Sequence, residues 1–311
     1  MPDDPVTSGS GAEPDVTLDT EQTNPATADI DRLSPLEIVQ TMNAQDAGVA
    51  RAVEHELPHI AAAIEAIAQR LRRGGRLIYI GAGTSGRLGA LDAAECPPTF
   101  NVPLELIIGC IAGGTFALTE ATEHAEDSTE AGRADIERLN VTALDAVVAI
   151  TASGRTPYAL SAIACARERA ALAIGLACNA DSPLAHQVDI MIAPVVGPEV
   201  LAGSTRLKAG TAQKMVLNML STGTMILLGK TFGNLMVDVR ATNDKLRRRT
   251  LSIVRAGTGL DASAAAALLQ ASGGDAKTAI LAGRAGIAPE LARERLTAHD
   301  NILRAALDDE S

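Results

Sequence analysis

The sequence predicts a doubly wound α/β fold built on a parallel five-stranded sheet. Short apolar runs of the length of β-strands recur through the first two thirds of the 311 residues, and helical segments lie between most of them. The runs are continuous rather than alternating, which is typical of parallel strands covered by helices on both faces. Loops with glycine and hydroxyl side chains follow two of these runs, as expected where a parallel sheet presents its carboxyl edge.

The pattern is helical before the first strand and alternates afterwards. A helical stretch covers about Ser34 to Ala52, and Pro58 opens a second helix with apolar residues on one face. Gly74 and Gly75 end that helix. The five strands are predicted at Leu77–Ile80, Leu106–Ile111, Ala146–Ile150, Ala171–Cys178 and Ile190–Ala193.

A long helix is predicted from about Arg206 to Gly229, and its second half is apolar all round. Such a helix is typical of a domain interior or of a subunit interface. Beyond Asn243, segments rich in Ala and Leu alternate with glycine-containing stretches, which predicts a bundle of three or four short helices. The predicted organisation is therefore a tail at residues 1–30, a main domain at residues 31–240 and a small helical domain at residues 245–307.

Charge is distributed unevenly along the chain. The formal net charge is −11, and residues 1–30 hold seven acidic residues and no Lys or Arg. This acidic segment is expected to be a disordered tail, and its deletion is expected to leave activity within a few-fold. The remainder is nearly balanced and shows no basic stripe, so we expect no nucleic-acid partner.

The cysteines and the apolar segments predict the compartment. Cys96, Cys110, Cys165 and Cys178 form no C-x-x-C pair, which favours buried thiols in a reducing cytoplasm over disulfides or a zinc site. The N-terminus lacks the basic and apolar regions of a signal peptide. The most apolar stretch, Met215 to Leu228, is too short to span a bilayer. A soluble intracellular protein without a membrane partner is expected.

The first candidate site is the loop Gly81–Arg87, which follows the first strand and matches G-x-G-x-x-G. A dinucleotide site would need an acidic residue at the end of the second strand, where Gly109–Ala112 has none. Two hydroxyls and free amides at a helix N-terminus suit a phosphate monoester better. A tight structural turn is the other alternative. The candidate phosphate-binding residues here are Gly83, Thr84, Ser85 and Gly86.

The second candidate site is Thr151–Pro157, which follows the third strand and repeats the Ser-Gly-Arg sequence of the first loop. Loops at the carboxyl ends of neighbouring parallel strands converge on one crevice, so the pair predicts a site better than either loop does alone. The candidate binding residues in this loop are Ser153, Gly154, Arg155 and Thr156.

Two glutamates are candidates for acid–base chemistry. Glu95 precedes Pro97 and Pro98, which are expected to break the helix and leave the carboxylate at a helix end near the first loop. Glu126 lies in an acidic run after the second strand. For each glutamate the alternative is an ordinary solvated carboxylate.

Several long motifs resemble those of the N-acetylmuramic acid 6-phosphate etherases. They lie in order over about residues 30–307: Gly81–Leu88, Ala94–Thr99, Ala125–Asp127, Ser153–Tyr158, Lys208–Lys214 and Phe232–Asp238. The resemblance implies a SIS (sugar isomerase) domain, a homodimer and a C-terminal domain similar to a ubiquitin-associated fold. It also implies cleavage of the D-lactyl ether of N-acetylmuramate 6-phosphate in the bacterial cytoplasm. The acid–base residues of the family fall on Glu95 and Glu126, and Lys208 falls among its substrate-binding residues.

The implied reaction suits two carboxylates and needs no cofactor or metal. An alkyl ether is a poor electrophile, but elimination becomes possible when the sugar ring opens and the C1 aldehyde acidifies the C2 proton. Glu126 is assigned to C2 deprotonation and Glu95 to protonation of the departing lactate. A sugar-phosphate isomerase and a non-catalytic sugar-phosphate sensor remain alternatives on the same fold, and a dehydrogenase is a further one.

Overall fold

All five strands of the main sheet are parallel, in the order β2-β1-β3-β4-β5. The computed structural model describes residues 18–120, 122, 124–239 and 244–309. The strands are β1 (Leu77–Gly81), β2 (Ile107–Ile111), β3 (Ala146–Ile150), β4 (Leu172–Leu176) and β5 (Ile190–Ile192). The chain reverses its direction of travel across the sheet between β1 and β3, so the loops after these two strands flank a crevice. The predicted fold class is confirmed.

Seven helices belong to the N-terminal part and the sheet domain within the described residues. They are α1 (Pro35–Asp46), α2 (Val49–Glu54), α3 (Leu57–Arg72), α4 (Gly83–Phe100), α5 (Thr129–Arg138), α6 (Pro157–Glu168) and α7 (Lys208–Leu227). The single stretch predicted at residues 34–52 is two helices, because the chain turns at Ala47 and Gly48 and resumes at Val49. α1 buries none of its residues, although Leu36 and Val39 are apolar.

The sheet is buried on both faces, which explains the continuous apolar runs. Tyr79 and Val148 point to the layer formed by α3, α4 and α7, where they pack with Ile67 and Val216. The alternate residues of the same strands, Ile78 and Val147 among them, point to the layer formed by α5 and α6. Each strand position therefore meets an apolar layer, and none of the residues of β1 or β3 is exposed.

Residues 18–30 differ from the predicted disordered tail. They form three short 3-10 turns at Asp19–Glu21, Pro25–Thr27 and Ile30–Arg32, the last of which extends beyond the segment. Thr20 is fully buried, and Thr27 Oγ1 donates a hydrogen bond to the carbonyl of Val200 at 2.8 Å. An acidic composition did not prevent order here, because side-chain and backbone hydrogen bonds hold the segment on the domain. The rest of the predicted tail, residues 1–17, lies outside the described residues.

The described residues of the C-terminal part, 244–309, form five helices rather than three or four. A two-stranded hairpin of β6 (Thr231–Phe232) and β7 (Leu235–Met236) precedes α8 (Asp244–Thr258), α9 (Ala262–Ala271), α10 (Ala276–Ala285), α11 (Pro289–Ala298) and α12 (Leu303–Asp308). The break before α12 uses Asp300 and Asn301 in the left-handed conformation, so no Gly or Pro marks it in the sequence. The predicted boundary between the two domains lies at residues 240–245, of which 240–243 are outside the described residues.

The four cysteines are buried and unpaired, as predicted. Burial raises the pKa of Cys96 and of Cys178 to about 12, so these thiols are held in their neutral form. Among the described helices, none is both long enough and apolar enough to cross a membrane.

An ion pair fixes the starts of the two central strands. Arg76, just before β1, donates to Asp145, just before β3, from Nε at 3.0 Å and from Nη2 at 2.8 Å. The Arg76 and Thr142 backbone amides also donate to this carboxylate at 2.9 and 2.8 Å. Burial alone would raise the pKa of Asp145, but the hydrogen bonds from Arg76 and Thr142 outweigh it and the pKa is lowered.

We predict that Asp145→Asn lowers the free energy of unfolding at pH 7 by about 2–3 kcal/mol, because Arg76 then lacks its charged partner. The folded-state pKa of Asp145 lies below its unfolded value, so this stability is present above about pH 4 and is lost as pH falls through the folded pKa. Urea unfolding at pH 7 and at pH 3 measures both effects. Asp29→Asn, at an exposed ion pair with Arg32, is the control and should change little. An equal difference between wild type and Asp145→Asn at both pH values would contradict the assignment.

Candidate active site

A cleft of about 380 Å³ opens at the carboxyl edge of β1 and β3. It is lined by the loop after β1, the loop after β3, a 3-10 turn before α5, the N-terminal segment and Thr205. The lining residues are Glu21, Ala82, Gly83, Thr84, Ser85, Glu126, Asp127, Thr151, Ala152, Ser153, Arg155, Thr156, Pro157 and Thr205. The two loops predicted from the sequence therefore meet in one site.

The loop after β1 brings the N-terminus of α4 into the cleft. α4 begins at Gly83, and its N-cap residue, Ala82, has no side-chain acceptor with which to cap the first amides. Gly86 permits the close approach of helix and strand, because a Cβ there would lie 2.5 Å from the carbonyl oxygen of Gly81. The first-turn amides of α4 are thus placed at the cleft, where they favour an anion.

The loop after β3 brings a second helix N-terminus to the same cleft. Thr151 and Thr156 share a hydroxyl hydrogen bond of 2.8 Å, and the amide of Gly154 donates to Thr151 Oγ1 at 3.3 Å. Gly154 has φ +72°, and a Cβ at this position would lie 2.4 Å from the Ser182 Cβ, so the turn requires glycine. α6 follows directly at Pro157. Two helix dipoles therefore point their positive ends at one cleft.

The side chain of Ser85 is hydrogen-bonded to that of Gln213 on α7. The sequence analysis assigned no role to Gln213. The Ser85 hydroxyl donates to Gln213 Oε1 at 3.0 Å, and both side chains are buried. Gln213 Nε2 has no hydrogen-bond partner within the described part of the chain. A half-turn of this amide would let Nε2 donate to Ser85 Oγ and would free the hydroxyl proton for an anion in the cleft.

The two candidate glutamates are not brought together within one chain. Glu126 lines the cleft from a short 3-10 turn, Ala125–Asp127, that follows His124 in the left-handed conformation. Glu95 is exposed and does not line it.

The placement of Glu95 corrects the expectation that it ends a helix near the first loop. α4 continues through Pro97 and Pro98 to Phe100, although neither proline can donate the usual backbone hydrogen bond to the carbonyl four residues earlier. Twelve residues of helix separate Gly83 from Glu95, which is about 18 Å along the helix axis.

Lys208 also lies away from the cleft. It is buried at the start of α7, and its Nζ donates to the carbonyl of Val196 at 2.8 Å. Burial lowers the pKa of this ammonium group, and the carboxylates of Glu199 and Asp46 offset this only in part. The Glu199 carboxylate accepts from the Lys208 and Ala209 amides, so it caps α7.

Glu21 and Thr205 line the cleft but were not sequence candidates. Glu21 lines the cleft from the N-terminal segment, which was predicted to be a disordered tail. No motif marks it, because its position depends on hydrogen bonds to residues more than 150 positions away. In the described residues, no three His, Cys, Asp or Glu side chains are grouped so that they could hold a metal ion.

We predict that Gln213→Met weakens the binding of inorganic phosphate about fivefold or more, because the Ser85 hydroxyl loses the amide that orients it. In a Ser85→Ala background, the same substitution should weaken binding less than twofold. Calorimetric titration of wild type, both single variants and the double variant measures the coupling. Gln270→Met, at an exposed position of α9, is the matched control. Equal losses in both backgrounds would show that Gln213 does not act through Ser85.

Comparison with known proteins places this architecture in a family. A profile of the SIS domain matches residues 114–223, and one of the glucokinase regulatory protein N-terminal SIS domain matches residues 59–167. The N-acetylmuramic acid 6-phosphate etherase of Serratia proteamaculans is 54% identical over 290 residues, covering 93% of this chain and 98% of the relative. The etherase of Rubrobacter xylanophilus is 56% identical over 290 residues, covering 93% and 96%. The Streptomyces avermitilis etherase is 56% identical over 291 residues, covering 94% of each chain. This chain belongs to the N-acetylmuramic acid 6-phosphate etherase family, as its sequence motifs predict.

Proposed function

We propose that this protein cleaves the lactyl ether of N-acetylmuramic acid 6-phosphate and releases N-acetylglucosamine 6-phosphate and D-lactate. The observation that carries the proposal is the cleft itself, where two helix N-termini and five hydroxyl-bearing residues of the two loops meet the carboxylate of Glu126. A member of the etherase family needs a phosphate site and an acid–base group in one pocket, and this cleft supplies both.

The phosphate of the substrate belongs at the floor of the cleft. Thr84, Ser85, Ser153 and Thr156 offer hydroxyl groups there. The start of α4 adds its first-turn backbone amides at Gly83, Thr84 and Ser85, which line the cleft. The amides of Gly86, Gly154 and Arg155 instead donate to acceptors within their own loops. Amides at a helix N-terminus carry partial positive charge and need no side-chain ordering, so a dianionic phosphate gains affinity without a lysine. Lys208, which faces Val196 instead, has no place in this proposal.

With the phosphate fixed, the rest of the opened sugar extends toward the carboxylates at the rim. The base removes the C2 proton, the electron pair forms the C2–C3 double bond, and the C3–oxygen bond to lactate breaks. The acid gives its proton to the departing lactate oxygen. Water then adds its hydroxyl to C3 and a proton to C2, which completes the amino sugar. Each positioned acid or base contributes about 10²–10⁴-fold to such a reaction.

Glu126 is assigned the role of base at C2, because it is the family glutamate that lines this cleft. Glu95 is assigned the role of acid toward lactate, although its own chain holds it far from the cleft. Both glutamates can act on one substrate if a second copy of the chain supplies Glu95 to the cleft that contains Glu126.

The proposed assembly is a homodimer in which α4 of one copy brings Glu95 to the cleft of the other. Leu91, one turn before Glu95 on the same helix face, is apolar and 54% exposed, as is typical of a surface that another chain covers. Near the end of α7, Ile226 and Leu227 are also exposed, which keeps α7 in the proposed interface. Neither face is explained by packing within one chain.

The cytoplasm is the proposed compartment. A phosphorylated sugar is an intracellular metabolite, and the four buried thiols suit a reducing environment. A net charge of −11 gives no support to a nucleic-acid partner.

A sugar-phosphate isomerase is the second candidate, and one observation favours it. The cleft of a single chain holds Glu126 without Glu95, and an isomerase needs only a base beside C2. Release of D-lactate from the phosphorylated muramic sugar separates the two. Conversion of a sugar phosphate without lactate release would support the isomerase and contradict the proposed etherase activity.

The division of labour between the glutamates gives a direct test. Glu95→Gln keeps the side-chain volume but has no proton to give, so D-lactate release should fall about 100-fold or more while C2 still exchanges with solvent deuterium. Glu126→Gln should slow both exchange and release, because deprotonation comes first. Lactate is measured enzymatically and exchange by NMR. Glu65→Gln, at an exposed position of α3, is the control. Near-normal release in both active-site variants would refute the two-carboxylate elimination.

Mixing the two inactive variants tests where Glu95 acts. When Glu95→Gln and Glu126→Gln chains are unfolded together and refolded, half of the dimers are hybrids, and one of the two sites in each hybrid contains both glutamates. About a quarter of wild-type activity should return. If Glu95 acted in its own cleft, every site of a hybrid would lack one carboxylate and no activity would return. Each variant refolded alone is the control.

A further inference from the structure

Glu21 stands at the cleft because its segment is tied to the domain on both sides. The amide of Asp19 donates to Asn179 Oδ1 at 3.1 Å, and the amide of Gly203 donates to the Thr20 carbonyl at 3.2 Å. Thr20 itself is fully buried. After Glu21, the Asn24 side chain donates to the carbonyl of Pro198 at 3.3 Å. The residues before and after Glu21 are therefore held by long-range contacts, and the side chain extends from a fixed backbone.

The same contacts connect the segment to the phosphate loops. Asn179 Nδ2 donates to the carbonyl of Ala152 at 2.9 Å, and Ala152 lines the cleft beside Ser153. Glu21 Oε2 lies 2.9 Å from where a Cβ on Gly203 would stand, so the carboxylate lies against the loop that ends at Thr205. Glu21 and the loop after β3 thus share one anchor, Asn179.

A carboxylate in a phosphate cleft has a restricted role. The ionised group only accepts hydrogen bonds, and it repels a phosphate dianion. It gains energy only from a part of the ligand that donates a hydrogen bond, such as a sugar hydroxyl or the N–H of an N-acetyl group. Hydrogen bonds to an ionised acceptor are about twice as strong as neutral ones.

We propose that Glu21 is a substrate-binding residue that accepts a hydrogen bond from a hydroxyl or amide group of the sugar and so distinguishes an amino-sugar phosphate from phosphate alone. The inference rests on the proposed function, because it takes the phosphate to lie on the two loops. It assigns a role in the site to the N-terminal segment, whose deletion with residues 1–30 would remove Glu21.

Opposite effects of one substitution at Glu21 on the binding of two ligands would support this role. Glu21→Ala should raise the KM of N-acetylmuramic acid 6-phosphate about tenfold or more, because a hydrogen bond to a charged group is lost. Inorganic phosphate, measured as a competitive inhibitor, should bind as well as before or better, because a negative charge has left the cleft. Glu21→Gln, which keeps a neutral acceptor, should lie between wild type and Glu21→Ala for the sugar.

Asp19→Asn is the matched control, since it removes the same charge two residues away, where the carboxylate accepts from Gln22 and does not line the cleft. An unchanged KM in both Glu21 variants, an equal loss with Asp19→Asn, or an equal loss of inorganic phosphate binding would overturn the role of Glu21.

Failure of the proposed reaction would show separately, as an absence of D-lactate release by wild type. Calorimetric binding of N-acetylglucosamine 6-phosphate, compared with inorganic phosphate across the same variants, then decides the role of Glu21 without catalysis. If inorganic phosphate does not compete with the sugar phosphate at all, the phosphate floor is wrong and the inference is overturned with it.

Discussion

The close contact between α4 and the end of β1 at Gly86 is the constraint on which the cleft depends. A Cβ at position 86 would also lie 2.6 Å from Ile111 Cγ1, so any side chain would push the helix away from β1 and β2 together. Because β3 pairs with β1 on the other side, such a shift would separate the loop after β1 from the loop after β3. The tight packing of one helix start therefore sets the distance between the two helix N-termini that face the cleft.

Buried polar contacts between α4 and α7 stabilise this arrangement. Asp92, in the middle of α4, accepts hydrogen bonds from Tyr79 at 2.9 Å, from Asn218 at 2.7 Å and from Ser221 at 3.1 Å. Burial raises the pKa of this carboxyl in spite of those hydrogen bonds. One turn nearer the cleft end of α7, Gln213 holds Ser85. The same helix pair thus fixes the register of α4 and orients a hydroxyl in the cleft, and both contacts need specific polar side chains.

The sequence predicted the features that depend on local pattern. Continuous apolar runs located the five strands to within a few residues, and the repeated Ser-Gly-Arg loops identified the cleft because parallel strands bring such loops to one edge. The sequence did not predict the features that depend on contacts between residues far apart in the chain. Glu21 faces the cleft only because Asn179 and Gly203 hold its segment. Glu95 was misplaced because α4 does not end at the prolines. The buried side chain of Phe100, beyond them, packs in the core and offsets the two backbone hydrogen bonds that the prolines cannot donate.

The distribution of charge in the cleft is consistent with this division of labour. In the proposed site the phosphate is bound by helix amides and hydroxyls, while three carboxylates, Glu21, Glu126 and Asp127, and one cationic residue, Arg155, line the same cleft. A lysine in the floor would attract these carboxylates as well as the phosphate, and its charge would make a nearby carboxylate a weaker base. Amide dipoles act over about one helix turn, so they hold the phosphate without reaching the rim. In the proposed dimer the phosphate is therefore bound at the floor by groups of one chain, and the two carboxylates of the reaction reach the rim from separate chains.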